Sequence, residues 1–206
     1  MNNQFAALAL LSLAAATASA ESLVDGSVEA AQAKAVVCGA CHGIDGNSVN
    51  PQWPNLAGQH ARYSYEQLQA FKDGKRADPL MTAQAMALSD EEMRDLSVYY
   101  EAQPPAARAV SDASLVDKGE SIYRGGIAEK GVAACIACHG PTGKGNPAAA
   151  YPDVSGQYAV YAAKQLRDYA SGARTSDGPT RMMRDIASRL TEDEIRAVSS
   201  YLQGLH

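Results

Sequence analysis

The sequence predicts an all-α protein in which two similar units follow one another along the chain. The first observation is the composition: alanine is abundant and only two Phe occur among 206 residues, which favours helices over extended sheet. The second is a repeat that spans both halves of the chain. The third is a pair of capping boxes, Ser89-x-x-Glu92 and Thr191-x-x-Glu194, each of which opens a predicted helix near the end of its unit.

The first 20 residues have the pattern of a secretory signal peptide. A short apolar run, Phe5 to Leu13, precedes the small-x-small sequence Ala18-Ser19-Ala20. The run is too short to span a bilayer comfortably. The sequence therefore predicts export to the periplasm and cleavage after Ala20. The formal net charge of -5 argues against a nucleic-acid partner, which would need a basic surface.

Residues 21–102 form the predicted N-terminal domain. Ser27 can cap a helix over residues 28–37, and a second helix is predicted from Ala61 to Asp73, ended by Gly74. The first capping box then opens a helix that runs to about Ala102.

A linker and a second domain complete the predicted organisation. Residues 103–114 contain paired prolines, which stop a helix, and their composition suits a linker. Residues 115–206 form the C-terminal domain. Its predicted helices repeat the plan of the first unit: Ser114 to Arg124, Val160 to Ser171, and a last helix opened by Thr191.

The repeat can be aligned residue by residue. "WPNLAGQHARY", residues 53–63, matches "YPDVSGQYAVY", residues 151–161, at an offset of 98. "LSDEEMRDLSVYY", from Leu88, matches "LTEDEIRAVSSYL", from Leu190, at an offset of 102. The second unit therefore carries four extra residues between Arg174 and Leu190.

Every cysteine of the chain lies in one of two C-x-x-C-H motifs: Cys38, Cys41 and His42, and Cys135, Cys138 and His139. A disulfide framework built from only four cysteines would stabilise a chain of this length little. A four-thiolate zinc site would leave both histidines unexplained. A thioredoxin-like pair would need no histidine either.

Covalent haem attachment uses every residue of both motifs. C-x-x-C-H is the attachment pattern of c-type haem, in which each thiol forms a thioether with a vinyl group and the histidine becomes an axial ligand of the iron. The gap of two residues places both sulfurs at one porphyrin edge. The sequence therefore predicts two covalently bound haem c groups, with His42 and His139 as axial ligands.

Methionine is the expected second axial ligand, since it closes the iron of an electron carrier and raises its potential. At the offset of 102, Met81 falls on Met183, and no other position is Met in both halves. Both methionines are expected in a loop between the second and last helices. Packing in the core is the alternative for either residue, and Met182 is the alternative ligand in the second unit.

The remaining histidines and two aromatic residues have less specific roles. His60 falls on Tyr158 and His206 ends the chain, so neither repeats and both are predicted at the surface. Trp53 and Tyr151 directly precede matched prolines. They pack either near a haem edge or in the core.

On these residues, each unit resembles a class I cytochrome c domain. The first unit has Cys38 to His42, the P-N-L-x-G pattern of Pro54 to Gly58, the distal Met81, and a terminal helix with Asp95 to Tyr99. The second unit has "PDVSG" from Pro152 instead. Two such domains behind a signal peptide, with the ending "SSYLQGLH", closely resemble the dihaem cytochrome c4 family.

The resemblance implies further roles for individual residues. The carbonyls of Pro54 and Pro152 would accept a hydrogen bond from the histidine ligands. Tyr99 and Tyr201 would lie where the terminal helix crosses the first helix of each unit, and Gly119 would allow close approach there in the second unit. The first unit has no equivalent glycine, so Ala30 or Ala31 would take its place.

The resemblance also implies a function. The family is periplasmic, is often loosely associated with the inner membrane, and passes electrons to terminal oxidases. The expected partners are a donor such as a membrane quinol-oxidising complex and an acceptor such as a haem-copper oxidase. Two alternatives are the dihaem subunit of a flavin-dependent sulfide dehydrogenase and a haem enzyme such as a peroxidase, which would need an iron without a strong sixth ligand.

Overall fold

The computed structural model describes residues 22–206, so the predicted signal peptide and its cleavage after Ala20 lie outside the described residues. Within residues 22–206 the regular structure is helical, and the only β-type pairings there are three isolated bridges. The predicted all-α class is confirmed. No helix in this part of the chain combines the length and the apolar character that a bilayer crossing requires.

Four helices form the first domain and five the second, within the described residues. Those of the first domain are α1 (Val28–His42), α2 (Ala61–Lys72), α3 (Pro79–Met86) and α4 (Asp90–Glu101). Those of the second domain are α5 (Val116–Gly125), α6 (Ile136–His139), α7 (Ala159–Ser171), α8 (Met182–Ala187) and α9 (Glu192–Gln203). Three short 3₁₀ helices lie at Ala113–Leu115, Ala128–Lys130 and Pro147–Ala149.

Local capping determines where several of these helices begin and end. The Ser27 hydroxyl accepts a hydrogen bond from the Ala30 amide at 3.1 Å, and both predicted capping boxes, at Ser89 and Thr191, are present. Gly74, with a φ of +72°, follows the end of α2. These predictions from sequence are confirmed because each depends on groups only a few residues apart.

The two C-x-x-C-H motifs lie in different local structures. Helix α1 does not end near Val37 as predicted but continues through His42. The second motif instead follows a loop and contributes the short helix α6. The loop begins at Gly126, whose φ of +69° ends α5 and whose site could not hold a side chain, since a Cβ there would lie 2.3 Å from the Val132 carbonyl oxygen.

Met81 and Met183 lie in short helices rather than in the loops that the sequence predicted. Met81 is in α3, where the Asp78 carboxylate accepts hydrogen bonds from the amides of Leu80, at 3.0 Å, and Met81, at 3.1 Å. Pro79 occupies the first turn of this helix. The sequence Asp78-Pro79 was therefore a start signal for α3 that the sequence analysis did not use.

Each domain is built on a crossing between its first and last long helices. In the second domain, a Cβ added to Gly119 would lie 2.4 Å from the Ala197 carbonyl oxygen and 2.7 Å from the Tyr201 Cβ. The close approach predicted for Gly119 is therefore confirmed. In the first domain the fully buried Ala31 lies at the crossing.

The two domains recognise each other through reciprocal hydrogen bonds. The Gln157 side chain accepts from the Asn55 amide at 3.0 Å and donates to the Asn55 carbonyl at 3.0 Å. The Gln59 side chain likewise accepts from the Asp153 amide at 3.0 Å and donates to the Asp153 carbonyl at 2.8 Å. Because Gln59 and Asn55 fall on Gln157 and Asp153 in the repeat, the interface has approximate two-fold symmetry.

The predicted linker is held against both domains by Arg108. Its guanidinium donates to the Ser48 carbonyl at 3.2 Å and to the Asn55 side chain at 2.9 Å, and it lies over the ring of Tyr158 at 4.3 Å. His60 was predicted at the surface, but it is half-buried and its Nε2 lies 2.7 Å from the Lys144 carbonyl oxygen across the interface. The arrangement of the domains is therefore fixed by contacts on several sides.

Candidate functional site

The four cysteines of the two motifs are half-buried, and no disulfide joins them within residues 22–206. Burial raises the pKa of the Cys38 thiol, and it raises the pKa of Cys135 to about 11. Such thiols are neutral at pH 7 and are accommodated in apolar surroundings. A thioether, which carries no charge, suits the same surroundings.

The histidine of each motif is oriented by a proline carbonyl. His42 Nδ1 lies 2.9 Å from the Pro54 carbonyl oxygen, and His139 Nδ1 lies 3.0 Å from that of Pro152. Since a carbonyl oxygen can only accept, Nδ1 carries the proton and Nε2 keeps a free electron pair. An iron atom needs that electron pair from an axial imidazole.

Burial also keeps both imidazoles neutral. It lowers the pKa of His42 and of His139, and the proline carbonyls oppose this effect only in part. Both histidines are therefore deprotonated at Nε2 at neutral pH, which is the form that binds a metal.

The loop after the second motif is closed by a glycine that the sequence analysis did not single out. The Gly145 amide donates to the His139 carbonyl at 2.8 Å, and its φ is +70°. A Cβ there would lie 2.2 Å from the Tyr151 carbonyl oxygen and 2.4 Å from that of Pro152. Gly145 thus lets the chain bring the Pro152 carbonyl to His139. The Gly-rich run after the second C-x-x-C-H motif was the sequence pattern that could have indicated this role of Gly145.

The structure does not distinguish between Met182 and Met183 as the methionine ligand of the second haem. Met81 is half-buried in α3, and both Met182 and Met183 are half-buried in α8. Burial therefore does not distinguish Met182 from Met183, and the repeat remains the basis for choosing Met183.

The site residues fit haem and do not fit the competing metal site. Across residues 22–206, no group of three or more His, Cys, Asp or Glu side chains is placed to hold a metal ion, and the two thiol pairs belong to different domains. A four-thiolate zinc site is therefore not formed there. Two thiols and one oriented imidazole recur in each domain, which is the donor set of c-type haem.

Two further residues were missed by the sequence analysis. Arg76 and Arg174 end the matching segments "QLQAFKDGKR" and "QLRDYASGAR", and the structure buries both between the domains. Their matched position in the repeat was the signal that could have found them.

Comparison with known proteins agrees with this arrangement. The protein family described as Cytochrome c matches residues 28–101 and again residues 116–206. Cytochrome c4 of Pseudomonas aeruginosa is 47% identical over 181 residues, covering 88% of this chain and 90% of the relative. Cytochrome c4 of Thiocapsa roseopersicina is 50% identical over 182 residues, covering 87% and 93%. The crystal structure of reduced recombinant cytochrome c4 from Pseudomonas stutzeri superposes with a TM-score of 0.85 at 44% identity, covering 88% of this chain and all of that one.

Proposed function

This chain belongs to the cytochrome c family, and from that premise we propose that it carries electrons one at a time in the periplasm between components of a respiratory chain. The proposed donor is a membrane quinol-oxidising complex, and the proposed acceptor is a haem-copper terminal oxidase. The chain is a dihaem electron-transfer cytochrome, and each of its two domains carries one covalently bound haem c.

We assign the site residues as follows. Cys38 and Cys41, and Cys135 and Cys138, form the thioethers. The proposed axial ligands are His42 and Met81 in the first domain and His139 and Met183 in the second. The observation that carries this assignment is the pair of Nδ1 contacts to Pro54 and Pro152, because they leave each Nε2 free to bind iron.

The protein residues favour electron transfer over substrate chemistry. Each bound haem supplies an iron that takes up and gives back one electron. His42 and His139 stay in place because their second nitrogen donates to a fixed backbone carbonyl. With Met81 and Met183 as the opposite ligands, neither iron would have an open position for a substrate. The chain then acts as a carrier and not as an enzyme.

The proposed acceptor can be tested with membranes that contain a haem-copper oxidase. The reduced protein is expected to be oxidised by these membranes, and cyanide should stop the reaction. Failure of such membranes to oxidise the reduced protein would contradict the proposed direction. Co-purification of a flavoprotein subunit would favour the sulfide dehydrogenase alternative, and binding of carbon monoxide to the reduced protein would favour the haem enzyme.

We expect the haem of the second domain to have the higher reduction potential. Residues 21–103 carry 12 acidic and 6 basic side chains, a net charge of -6, whereas residues 104–206 carry 11 and 12, a net charge of +1. Ferric haem has one more positive charge than ferrous haem, so an acidic domain stabilises the ferric state. Since 59 mV corresponds to a factor of ten and surface charges are screened within about 10 Å, the gap should be on the order of tens of millivolts.

A redox titration checks this order. The wild type is compared with Met81→His and Met183→His, each of which should lower the potential of one haem and so assign its wave. If the upper wave belongs to the haem attached through Cys38 and Cys41, the charge argument is wrong.

A further inference from the structure

The helix that carries the methionines of the second domain follows a longer loop than its counterpart in the first domain. The second unit has four extra residues between Arg174 and Leu190. Helix α8 then has only six residues, whereas α3 has eight. A helix this short is not stable by itself. The position of α8, and of the two methionines at its start, therefore depends on contacts with other parts of the domain.

The local cap that begins α3 is not repeated in α8. In α3 the Asp78 carboxylate accepts hydrogen bonds from two amides of the first turn, one of which is the amide of Met81. At the offset of 102, Thr180 takes the place of Asp78, but its hydroxyl donates to the Asp177 carbonyl at 3.1 Å. In the described structure, the side chain of Arg181, which directly precedes α8, makes no capping hydrogen bond.

The Asp177 carboxylate satisfies the start of α8 from the preceding loop. Its Oδ2 accepts a hydrogen bond from the Arg184 amide, in the first turn of the helix, at 3.0 Å. Its Oδ1 accepts from Arg184 Nε at 2.7 Å. The same guanidinium donates to the Gly178 carbonyl at 2.5 Å. One residue of α8 is therefore fixed to the loop through both its backbone and its side chain, and we call this pair the Asp177–Arg184 clamp.

The Asp177–Arg184 clamp is largely removed from solvent. The two side chains are 3% and 14% exposed, respectively. Hydrogen bonds between charged groups are stronger than those between neutral groups, and salt screens buried pairs less than exposed ones. A neighbouring ion pair, between Arg181 and Asp185, has both side chains more than half exposed. We therefore expect the buried pair, and not the exposed one, to hold α8 in place.

The backbone before α8 has a conformation that such contacts must maintain. Arg181 has a φ of +54°, in the left-handed region that residues other than glycine rarely adopt. Conformations of this kind persist where the surrounding contacts enforce them. Asp177 and Arg184 lie on either side of Arg181 in the sequence, so their ion pair closes the loop around it.

We propose that Asp177 is a positioning residue for the second haem: through Arg184 it holds the start of α8 so that the methionine ligand reaches the iron. Arg184 directly follows Met183 and lies two residues after Met182, so the clamp acts on the ligand in either assignment. This inference rests on the proposed function in one respect, namely that a methionine of α8 is the ligand. It is independent of the physiological donor and acceptor.

Imidazole binding to the ferric holoprotein measures how firmly each methionine is held, because imidazole must displace it from the iron. Asp177→Ala should raise the imidazole affinity of the second haem about tenfold, as expected for loss of hydrogen bonds between charged groups, and leave the first haem unchanged. Asp78→Ala, which removes the local cap of α3, should raise the affinity of the first haem alone. Proton NMR distinguishes the haems through contacts of their methyl groups with the Cβ protons of Cys38 or Cys135.

Asp185→Ala is the matched control in α8, because it removes the exposed pair with Arg181 and should change neither affinity. Urea unfolding of each variant separates positioning of the ligand from stability of the domain. Suppose that Asp177→Ala lowers the unfolding midpoint but leaves the imidazole affinity of the second haem unchanged. The role of Asp177 would then be one of stability alone, and the proposal would be wrong. An equal increase in affinity at both haems would also overturn it.

The near-infrared band of the ferric protein separates failure of this inference from failure of the ligand assignment. If neither Met182→Ala nor Met183→Ala removes the share of the band that belongs to the second haem, no methionine of α8 is the ligand, and both the assignment and the inference are wrong. If one of them does remove it, an unchanged imidazole affinity in Asp177→Ala overturns the inference alone.

A milder substitution keeps the test decisive if Asp177→Ala does not fold. Asp177→Asn keeps one acceptor oxygen but loses the charge, so it should raise the imidazole affinity of the second haem by a smaller factor, about threefold. An unchanged affinity in the folded Asp177→Asn protein would overturn the proposal.

Discussion

Met81→Ala is expected to open one of the two haems to carbon monoxide and to remove about half of the near-infrared band that a methionine sulfur bound to ferric iron produces. Met183→Ala should do the same to the other haem. The physical reason is that alanine provides no sulfur for the sixth position of the iron, so a small ligand can take it. The potential of the affected haem should also fall, because methionine ligation raises it. Carbon monoxide binding and near-infrared absorption of the purified variants measure this.

The chain provides controls for the methionine assignment. Met86 lies in the same helix as Met81 and is 58% exposed. The variant Met86→Ala should therefore leave the near-infrared band intact. The intact mass of every variant should still show two haem adducts, which separates loss of a ligand from loss of a haem. If Met182→Ala opens the second haem and Met183→Ala does not, the alignment of the repeat is wrong by one residue.

Gly119→Ala is expected to destabilise the second domain by about 1–3 kcal/mol, the usual effect of overpacking a close contact. The added Cβ would lie 2.4 Å from the Ala197 carbonyl oxygen, a backbone atom of α9, so α5 and α9 would have to move apart. This crossing also packs the buried Tyr123 and Tyr201, whose rings lie 5.5 Å apart. The midpoint of urea unfolding of the holoprotein measures the effect.

Gly125 provides the matched control for Gly119. Both glycines belong to α5, but a Cβ at Gly125 would meet nothing within 4 Å. Gly125→Ala should therefore be neutral or stabilising by up to about 1 kcal/mol, since alanine favours a helix more than glycine does. Equal unfolding midpoints for the two variants would show that the crossing tolerates a side chain at Gly119.

The sequence by itself determined the features that depend on local chemistry. Two thiols and a histidine at fixed spacing predict haem attachment wherever they occur, because the attachment involves only residues within one turn. The capping boxes at Ser89 and Thr191 were also visible, since both partners lie three residues apart. The repeat extended these predictions from one unit to the other and identified Met81 and Met183 as candidate ligands. The signal peptide over residues 1–20, the domain boundaries and the methionine ligands remain predictions.

Only the tertiary structure decided which distant residues meet. No local pattern indicated that Arg76 would be buried beside Arg174, or that the Tyr161 hydroxyl would accept a hydrogen bond from Arg76 across the interface. Of the three side chains that accept hydrogen bonds from Arg76, Gln67 is nearby in the sequence, whereas Tyr161 and Gln165 are 85 and 89 positions away. The packing of the two domains creates these contacts, so the sequence could show that the arginines repeat but not that they meet.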